Sequence, residues 1–450
     1  MDSTTRCISE YVANLTYEAL PASSLHAAKR LLLDSIGCAV AAYDMDAVRL
    51  VQRVAKKYAA SPGAGVLGLT AKTTPEHAAF ANTTIIRYLD WNDSPMISSH
   101  PSDNFGHILA VADAFTCNGP ATLLAAVIAY EIHRTVNPGM ENRSRAWDDG
   151  PIVAIAAACT TGKLLNLTQE QIANAIGIAA VSNIALRATR TGAMSMWRGS
   201  ATAQAGRNGV FAAFLAQEGM TGPSEPFEGE FGFWQEIAHP FELSILGRRN
   251  VPYAIECSTM KYFPACYVGQ AAIWAVQELR QNLHLDDVVE IRVTTSLRGW
   301  KNMASDAEKW APQTRETADH SLPYVVASML ARGSIAVADY SPERLNDPTV
   351  RSLMPKVKVL VDDEMTRVFP EVIRTKVEIV THDGQVRAAD IINPKGHDAN
   401  PLSDDEVQSK FRLAAQRLGG DRCDRIISWI ESMESADSIG ELFTLVHYSG

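Results

Sequence analysis

The feature that most constrains the fold is a change of hydrophobic period along the chain. Up to about residue 257, apolar residues recur every three or four positions, which predicts helices with a buried face. Between residues 258 and 397 the period shortens to two, as in the run 289–293, and Asp383-Gly384 between two such runs predicts a β-hairpin. Helical spacing returns in residues 403–445.

This order of helices, strands and helices predicts a mainly α fold with an inserted α+β domain. We expect residues 1–257 and 398–450 to form one large all-helical domain from both chain ends, and residues 258–397 to form the smaller domain. The length supports this division, because a chain of 450 residues is too long for one ordinary hydrophobic core.

Several local expectations follow from turn and capping signals. The Gly- and Pro-containing segment 61–68 predicts a connector, and residues 135–150 predict a charged loop. Capping boxes predict helix starts at Thr168 and at Ser403. Asp34 lies inside the apolar pattern of the second helix, and we expect it at a solvated edge rather than as a buried polar partner.

Composition places the chain among globular proteins rather than among disordered, membrane-spanning or nucleic-acid-binding chains. Apolar residues make up 46% and charged residues 20% of the sequence, and the net charge of −10 is dispersed without basic runs. No apolar run reaches the ~18 residues of a membrane span, so we expect neither nucleic-acid nor membrane partners. The start, M-D-S-T-T-R-C, resembles no secretory signal, which favours the cytoplasm and leaves mitochondria open if a presequence is missing.

The cysteines favour reduced thiols and indicate no metal site. There are seven of them, an odd number, scattered along the chain with no C-x-x-C pair. Iron–sulfur clusters held by cysteines, and zinc sites, need closer groupings than these. We therefore expect a protein that uses no metal and no other cofactor.

One stretch, residues 88–104, concentrates the polar residues that can carry chemistry. It lies between two apolar runs that predict helices, and it holds three aspartates, one histidine and four serines: Asp90, Asp93, Asp103, His100, Ser94, Ser98, Ser99 and Ser102. The acids can orient and tune His100, which can then move a proton near neutral pH. The plainer interpretation, which the spacing leaves open, is that these aspartates and serines cap the two helices.

The motif L-D-W-N-D followed by H-P-S-D-N, within residues 88–104, resembles the signature of the MmgE/PrpD family. The segment K-W-A-P-Q-T-R-E-T-A-D-H-S-L-P-Y at 309–324 resembles the 2-methylcitrate dehydratase branch of that family. M-S-M-W-R-G at 194–199 and K-Y-F-P-A at 261–265 fall in the family's order. The resemblance implies a homodimer whose subunits have a large helical domain, a smaller lid domain and an active site in the cleft between them.

The resemblance also implies a metal-independent lyase that dehydrates a 2-alkylcitrate, with this small-molecule tricarboxylate as its partner. Such a site must anchor three carboxylates, remove a proton next to one of them and protonate the departing hydroxyl. Two other family activities, cis-aconitate decarboxylation and epimerisation, stay open as alternatives. A further alternative, from another class, is a catalytically inactive binding subunit.

Carried over residue by residue, the motifs imply two groups of site residues. The catalytic candidates are His100, Asp90, Lys261 and His320. The substrate-binding candidates are Ser94, Ser102, Asp93, Arg198, Cys266, Arg315 and Tyr324. The plainer alternatives are a structural histidine for His100, a surface lysine for Lys261 and a histidine held only by its neighbours for His320.

Four positions depart from the pattern of the dehydratase branch. Arg198 stands where the family usually has lysine, Cys266 and Val268 replace an acid and a histidine, and Asp149 replaces a histidine. Arg198 keeps a cation that can clamp a carboxylate, but it cannot carry a proton. Val268 and Cys266 suit a longer alkyl chain, so the expected substrate is 2-methylcitrate or a longer homologue. We do not expect Cys266 to be a nucleophile, because the reaction needs no covalent step.

Overall fold

The computed structural model of the protein describes residues 1–94, 99–141, 147–183, 185–190, 192, 194–248 and 251–448. Ser98 of the polar stretch lies outside these residues. Within these described residues, ten α-helices precede the smaller domain: α1 (Ser3–Asn14), α2 (Ala22–Ala41), α3 (Asp46–Lys57), α4 (Pro75–Arg87), α5 (Asn104–Ala114), α6 (Gly119–Glu141), α7 (Gly150–Leu164), α8 (Gln169–Val181), α9 (Ala201–Gln217) and α10 (Phe233–Glu236). None of the helices in the described ranges is long and apolar enough to cross a lipid bilayer.

The remaining helices divide between the smaller domain and the C-terminal segment. The smaller domain contains α11 (Gln270–Leu279), α12 (Leu297–Met303), α13 (Ala307–Trp310), α14 (Arg315–Ala318), α15 (Leu322–Arg332), α16 (Pro342–Leu345), α17 (Pro348–Leu353) and α18 (Asp363–Val368). The C-terminal segment contains α19 (Asp404–Ala414), α20 (Gly420–Glu431) and α21 (Gly440–Leu445).

Both ends of the chain build the core of the large domain. Buried apolar side chains between Ile8 and Met260 form one cluster with those between Leu402 and Val446. Helix α19 packs against α2, while α5 and α7 are buried along almost their whole length among the neighbouring helices. The predicted capping boxes at Thr168 and Ser403 are both present. The mainly α architecture is therefore confirmed.

The smaller domain has its own core, built on a four-stranded mixed sheet. The strands are β3 (Val288–Thr295), β4 (Val357–Val361), β5 (Arg374–Thr381) and β6 (Val386–Ile392), in the order β4-β3-β5-β6. Strands β3 and β4 are parallel, and the other two pairs are antiparallel. The hairpin predicted at Asp383-Gly384 joins β5 to β6, and Gly384 supplies the positive φ of 79° that such a turn requires. Helix α11 packs on β5 and β6.

Two segments of the large domain differ from expectation. A hairpin of β1 (Ala59–Gly65) and β2 (Lys72–Thr73) replaces the connector predicted at 61–68, so the large domain is not strictly all-helical. The Asp113 carboxylate holds this hairpin by accepting from the backbone N–H of Gly65 at 2.7 Å. Helix α6 continues through Pro138, where a charged loop was predicted, because burial of its neighbours outweighs the local helix-breaking preference.

The prediction for Asp34 was wrong. This side chain is only 2% exposed, and its Oδ1 lies 2.6 Å from Nζ of Lys410 on α19. The same ammonium donates to the carbonyl oxygen of Trp91 at 3.1 Å. Asp34 is thus a buried polar partner whose cation comes from the other end of the chain. A local hydrophobic pattern contains no sign of such a partner.

Candidate active site

A cavity of about 550 Å³ lies where the two domains meet. The large domain contributes the loop after α4, the start of α7 and the segment before α9, and the smaller domain contributes its first residues, α12 and the start of α15. Its wall carries eight cationic side chains, Arg87, Arg187, Arg190, Arg198, Arg298, Lys261, Lys301 and Lys309. It carries four carboxylates, Asp90, Asp148, Asp149 and Asp306. The surplus of cations makes this cavity locally positive in a chain of net charge −10.

Asp90 is the hub of the polar contacts in the wall. It follows the end of α4 in a left-handed conformation, with φ of 53°, which turns its carboxylate back towards the cavity. Arg87 donates to one carboxylate oxygen, and Nζ of Lys261 lies 3.0 Å from the other. Nη2 of Arg198 lies 3.3 Å from the same second oxygen. One buried anion therefore holds together cations from both domains.

These contacts fix the ionisation of Asp90 and its closest cation. Burial opposes ionisation of Asp90, but Lys261, Arg87 and Arg198 outweigh it and hold the pKa of the carboxyl well below its usual range. Burial lowers the pKa of Lys261 despite the presence of Asp90. Nζ of Lys261 also donates to the backbone carbonyl of Asp90 at 2.7 Å, which orders the loop.

His100 approaches the same carboxylate oxygen of Asp90 that accepts from Arg87. Its Nδ1 donates to the carbonyl oxygen of Asp93 at 2.6 Å, which places the lone pair of the neutral ring on Nε2. That Nε2 lies 3.5 Å from Oδ1 of Asp90 and faces the cavity. Burial, together with Arg87 and Lys261, lowers the pKa of His100 well below its ordinary value. His100 is therefore a neutral imidazole with an available acceptor nitrogen, the state in which a histidine can accept a proton.

Asp93 and Ser102 hold the His100 loop rather than lining the cavity. The Asp93 carboxylate accepts from the hydroxyls of Ser102, Tyr130 and Ser258, the last two at 2.7 and 2.6 Å. Both Asp93 and Ser102 are fully buried. Neither is the N-cap residue of α5, which begins without a side-chain capping bond, although the Asp93 carboxylate also accepts from the backbone N–H of Ser102 at 3.1 Å. These bonds fix the backbone carbonyl that orients His100.

A second cluster joins Arg198 of the large domain to Asp319 and His320 of the smaller domain. Nη1 of Arg198 donates to Oδ1 of Asp319 at 3.0 Å, so this guanidinium bridges Asp319 and Asp90. Nδ1 of His320 lies 2.6 Å from the same Asp319 oxygen, and its Nε2 lies 3.8 Å from Asp90. Burial and Arg198 lower the pKa of His320, but Cys266 and Asp319 outweigh them, so the pKa is raised. His320 and His100 thus have opposite protonation tendencies.

The structure brings most of the predicted site residues to one cavity. The residues that line it are Asp90, Ser94, His100, Arg198, Lys261, Cys266 and His320. Lys261 is not the surface lysine of the plainer alternative, because it is 1% exposed. Val268 and Asp149, two of the departures from the family pattern, also lie in the wall.

Arg315 and Tyr324, together with Asp93 and Ser102, do not form part of this wall. Arg315 donates to the carbonyl oxygens of Tyr88 and Leu89 at 3.1 and 2.8 Å, and so caps the end of α4 from the smaller domain. Tyr324 is fully buried in the core of the smaller domain, where its hydroxyl donates to the carbonyl of Asp339. The positions of these four side chains do not support a role in substrate binding.

Sequence reasoning missed several charged residues of the wall. Arg87 was hidden in an apolar helical run, although it contacts Asp90 and lies 3.6 Å from Asp103. Arg190 pairs with Asp148, and its Nη2 lies 3.7 Å from Asp149. One signal in the sequence could have indicated such residues: Arg187 and Arg190 lie within a run of small residues just before M-S-M-W-R-G. No three His, Cys, Asp or Glu side chains in the described ranges are arranged to hold a metal ion.

Comparison with known proteins agrees with this arrangement. Two family models match: the MmgE/PrpD N-terminal domain over residues 6–246 and the MmgE/PrpD C-terminal domain over residues 263–435. The cis-aconitate decarboxylase-like protein oryM of Aspergillus oryzae is 26% identical, covering 97% of this chain and 95% of that protein. The 2-methylcitrate dehydratase of Cupriavidus necator is 28% identical, covering 87% and 85%. The mitochondrial 2-methylcitrate dehydratase of Yarrowia lipolytica is 28% identical, covering 88% and 80%. The chain therefore belongs to the MmgE/PrpD family.

Proposed function

We propose that this enzyme of the MmgE/PrpD family dehydrates a 2-alkylcitrate to the corresponding 2-alkylaconitate without a metal ion. The observation that carries the proposal is one cavity that combines a surplus of cations with two histidines of opposite protonation tendency. Several relatives of this chain are named 2-methylcitrate dehydratase. The reaction removes a proton next to a carboxylate and expels a hydroxyl from the neighbouring carbon.

The cations of the wall would anchor the three carboxylates of the substrate. Arg187, Arg298 and Lys301 line the cavity. None of the three has an ion pair within 4 Å among the residues that the structure describes, so their charges remain available to a ligand. Arg190 and Arg198 are already bridged to aspartates and would hold the wall in place. Cations on the wall of a partly enclosed cavity bind polycarboxylates more strongly than the same charges would in open water.

The two histidines would carry the protons. The neutral His100 would take the proton next to the carboxylate at its Nε2, because its Nδ1–H is engaged with the carbonyl of Asp93. His320, with its raised pKa, would give a proton to the departing hydroxyl. Asp90 lies within 3.8 Å of both imidazoles and would stabilise the charge that develops on His100. This assignment gives the base and the acid to different domains.

The apolar part of the wall would accept the alkyl group. Met194, Tyr267, Val268, Leu297 and Phe369 all line the cavity. A volume of about 550 Å³ is that of an ordinary small-molecule site and leaves space beyond a citrate-sized ligand. This wall is the basis for including alkyl chains longer than methyl in the proposal.

One specific observation favours a second candidate, cis-aconitate decarboxylation. The relative from Aspergillus oryzae that is named cis-aconitate decarboxylase-like spans 97% of this chain. Loss of carbon dioxide from an anchored polycarboxylate would use the same cations. An inactive binding subunit is disfavoured by the two poised histidines, which substrate binding alone does not require.

The testing experiment follows the new conjugated double bond by absorbance at neutral pH in the presence of EDTA. Citrate, 2-methylcitrate and 2-hexylcitrate are compared in parallel, and carbon dioxide release is measured with cis-aconitate. Turnover of an alkylcitrate is expected, and its chain-length preference identifies the alkyl group. If none of the three citrates is dehydrated, or if dehydration occurs only without EDTA, the proposal is contradicted. Carbon dioxide release from cis-aconitate with no dehydration would establish the second candidate.

The matched variants are His100→Ala and His26→Ala. Loss of a general base lowers turnover by about 10²- to 10⁴-fold, so this loss is expected for His100→Ala. His26 lies on the surface of the large domain beside Asp404, with its side chain 57% exposed, and its replacement should leave turnover unchanged. Full activity of His100→Ala would remove His100 from the reaction while leaving the substrate assignment intact.

We also propose that the enzyme acts as a homodimer in a cytosol-like compartment. Large apolar side chains of the large domain, including Trp197 and Phe211, remain about half exposed and would suit a subunit interface. All seven cysteines are free thiols, in keeping with a reducing compartment. Sedimentation equilibrium gives the oligomeric state directly, and a monomer at micromolar concentration would contradict the dimer.

A further inference from the structure

The four residues that follow α4, residues 88–91, form a buried turn, and side-chain cations from three other segments hold their backbone carbonyls. Arg315 donates to the carbonyl oxygens of residues 88 and 89 at 3.1 and 2.8 Å. Lys261 donates to that of residue 90 at 2.7 Å, and Lys410 to that of residue 91 at 3.1 Å. A buried carbonyl needs a donor, and in this turn four consecutive carbonyls receive charged ones.

Arg315, in the short helix α14, contacts this turn most extensively. Its Cζ lies 5.5 Å from the ring centroid of Tyr88 and 5.6 Å from that of Tyr340, and its side chain is only 9% exposed. The next residue, Glu316, accepts from the hydroxyl of Tyr88 at 2.6 Å. A guanidinium can donate two parallel N–H bonds and also stack on aromatic rings, whereas an ammonium cannot do both. One short segment of the smaller domain therefore holds Tyr88 by its ring, its carbonyl and its hydroxyl.

We propose that Arg315 is a positioning residue for Asp90: it holds the turn that directs the Asp90 carboxylate to His100 and to the cations of the cavity. Asp90 has a φ of 53°, and a residue other than glycine persists in this conformation only where its surroundings hold it. Both bonds of Arg315 go to the two carbonyls that immediately precede Asp90. For turnover, this role rests on the proposed function.

The contacts of the Asp90 carboxylate are sensitive to small displacements. One of its oxygens lies 3.0 Å from Nζ of Lys261 and 3.3 Å from Nη2 of Arg198. The other lies 3.5 Å from Nε2 of His100. A misplacement of about 1 Å changes which of these contacts form, and an error of that size can lower turnover about 10²-fold. Arg315 does not line the cavity, so it influences these contacts through the backbone of the turn.

Arg315→Lys and Arg332→Lys are matched variants for the test. Arg315→Lys keeps the positive charge, which also lies 3.5 Å from Oδ2 of Asp319, but an ammonium cannot replace both bonds to the turn. Arg332 is a second nearly buried arginine of the smaller domain, with a side chain 12% exposed. It pairs with Asp339 and Asp347 at 3.2 and 3.0 Å. A general weakening of the smaller domain would therefore affect both variants.

Steady-state kinetics on the alkylcitrate that the native enzyme dehydrates separate positioning from binding. In Arg315→Lys we expect kcat to fall about 10- to 100-fold. KM should stay within about threefold, because the cations proposed to anchor the substrate are unchanged. Arg332→Lys should keep both constants within about twofold. An unchanged kcat in Arg315→Lys, with or without a raised KM, would overturn the positioning role, and so would equal losses of kcat in the two variants.

Amide hydrogen exchange, followed by mass spectrometry on the same proteins without substrate, reports on the turn independently of turnover. Peptides that contain residues 88–94 should exchange about tenfold faster in Arg315→Lys than in the native enzyme. In Arg332→Lys they should exchange at the native rate. Where Arg315→Lys does not fold, Arg315→Gln, which removes the charge and the fork, should change kcat and exchange in the same directions.

The two measurements distinguish failure of this proposal from failure of the proposed function. Native exchange of residues 88–94 in Arg315→Lys would overturn the positioning role even if the native enzyme dehydrates an alkylcitrate. Faster exchange confined to the Arg315 variant, with no citrate dehydrated by the native enzyme, would remove the proposed function. It would retain Arg315 as the residue that places Asp90.

Discussion

Replacing Lys410 by methionine tests how the two ends of the chain stabilise the active-site loop. Lys410 on α19 and Asp34 on α2 form an ion pair at 2.6 Å, with side chains 3% and 2% exposed. The ammonium also donates to the carbonyl of Trp91, next to Asp90. Methionine fills similar space without charge, so the variant leaves a buried carboxylate and a buried carbonyl without their donor.

The expected cost follows from the burial of this pair. Removing one partner of a buried ion pair destabilises a protein by about 3–5 kcal/mol, because the other charge stays buried. An unfolding entropy of about 2.1 cal/mol/K per residue, over a domain of about 300 residues, converts this loss into a Tm decrease of about 5–8 °C. The surface pair of Lys358 and Glu290 is the control, since Lys358 is 62% exposed. Lys358→Met should cost less than about 1 kcal/mol.

The pH dependence gives a second check with a definite sign. Burial raises the pKa of Asp34, while Lys410 opposes this rise. A carboxyl whose folded pKa lies above its unfolded value stabilises the fold while protonated, and this stability is lost as pH rises through the folded pKa. Without Lys410 the folded pKa of Asp34 rises further. The Tm deficit of Lys410→Met should therefore be larger at pH 8 than at pH 5.

Thermal unfolding monitored by circular dichroism at both pH values measures these shifts, with Asp34→Asn and the double variant completing the cycle. The double variant should recover more than half of the deficit of Lys410→Met, because no buried charge is left unpaired. A Tm within about 1 °C of the native value at pH 8 would refute the reasoning, since even 1 kcal/mol should be visible. A double variant no more stable than Lys410→Met would refute the role of Asp34.

Two further predictions concern the charge of the cavity and the packing of α5 against α4. Burial and the neighbouring Asp148 raise the pKa of Asp149 to about 7, so Asp149 gains its charge as pH rises through neutrality. The affinity for a tricarboxylate, measured by calorimetry, should fall between pH 6 and 8. In Asp149→Asn the fall should be smaller. An affinity with the same pH dependence in both proteins would contradict this prediction. At Gly106 an added Cβ would lie 2.2 Å from Oγ1 and 2.3 Å from the backbone nitrogen of Thr83. Gly106→Ala should therefore destabilise the large domain by at least about 1–3 kcal/mol, and an unchanged Tm would show that α4 and α5 can separate freely.

Most of the fold could be predicted because its determinants are local. The change of period near residue 258 located the sheet, and Thr168 and Ser403 marked helix starts with side-chain bonds made within one turn. The hairpin β1–β2 was missed because β1 is rich in small residues and β2 is only two residues long. A carboxylate from another element, that of Asp113, also holds it. Asp34 was misplaced for the same reason, since its partner is distant in sequence.

The candidate site could be predicted only where a motif names it. Asp90, His100 and His320 lie in the wall as the motifs implied. A motif cannot separate residues that face a ligand from residues that hold the two domains together. Arg315 and Tyr324 belong to the same segment as His320, yet one caps α4 and the other is buried in the core. That distinction depends on side-chain direction, which sequence spacing does not fix.

The carboxylates of the wall explain how so many cations can share one cavity. Two like charges 4 Å apart repel by about 4 kcal/mol at the effective dielectric of a protein surface. Arg87, Arg198 and Lys261 therefore need Asp90 between them if the empty enzyme is to fold. Asp103 and Asp319, which do not line the cavity, also pair with Arg87 and Arg198. The eight cations of the wall still exceed these two carboxylates and the four of the wall taken together, so a positive remainder persists. We infer that this remainder is kept for the carboxylates of the substrate. Selectivity for a tricarboxylate would then follow from the charge that folding leaves uncompensated.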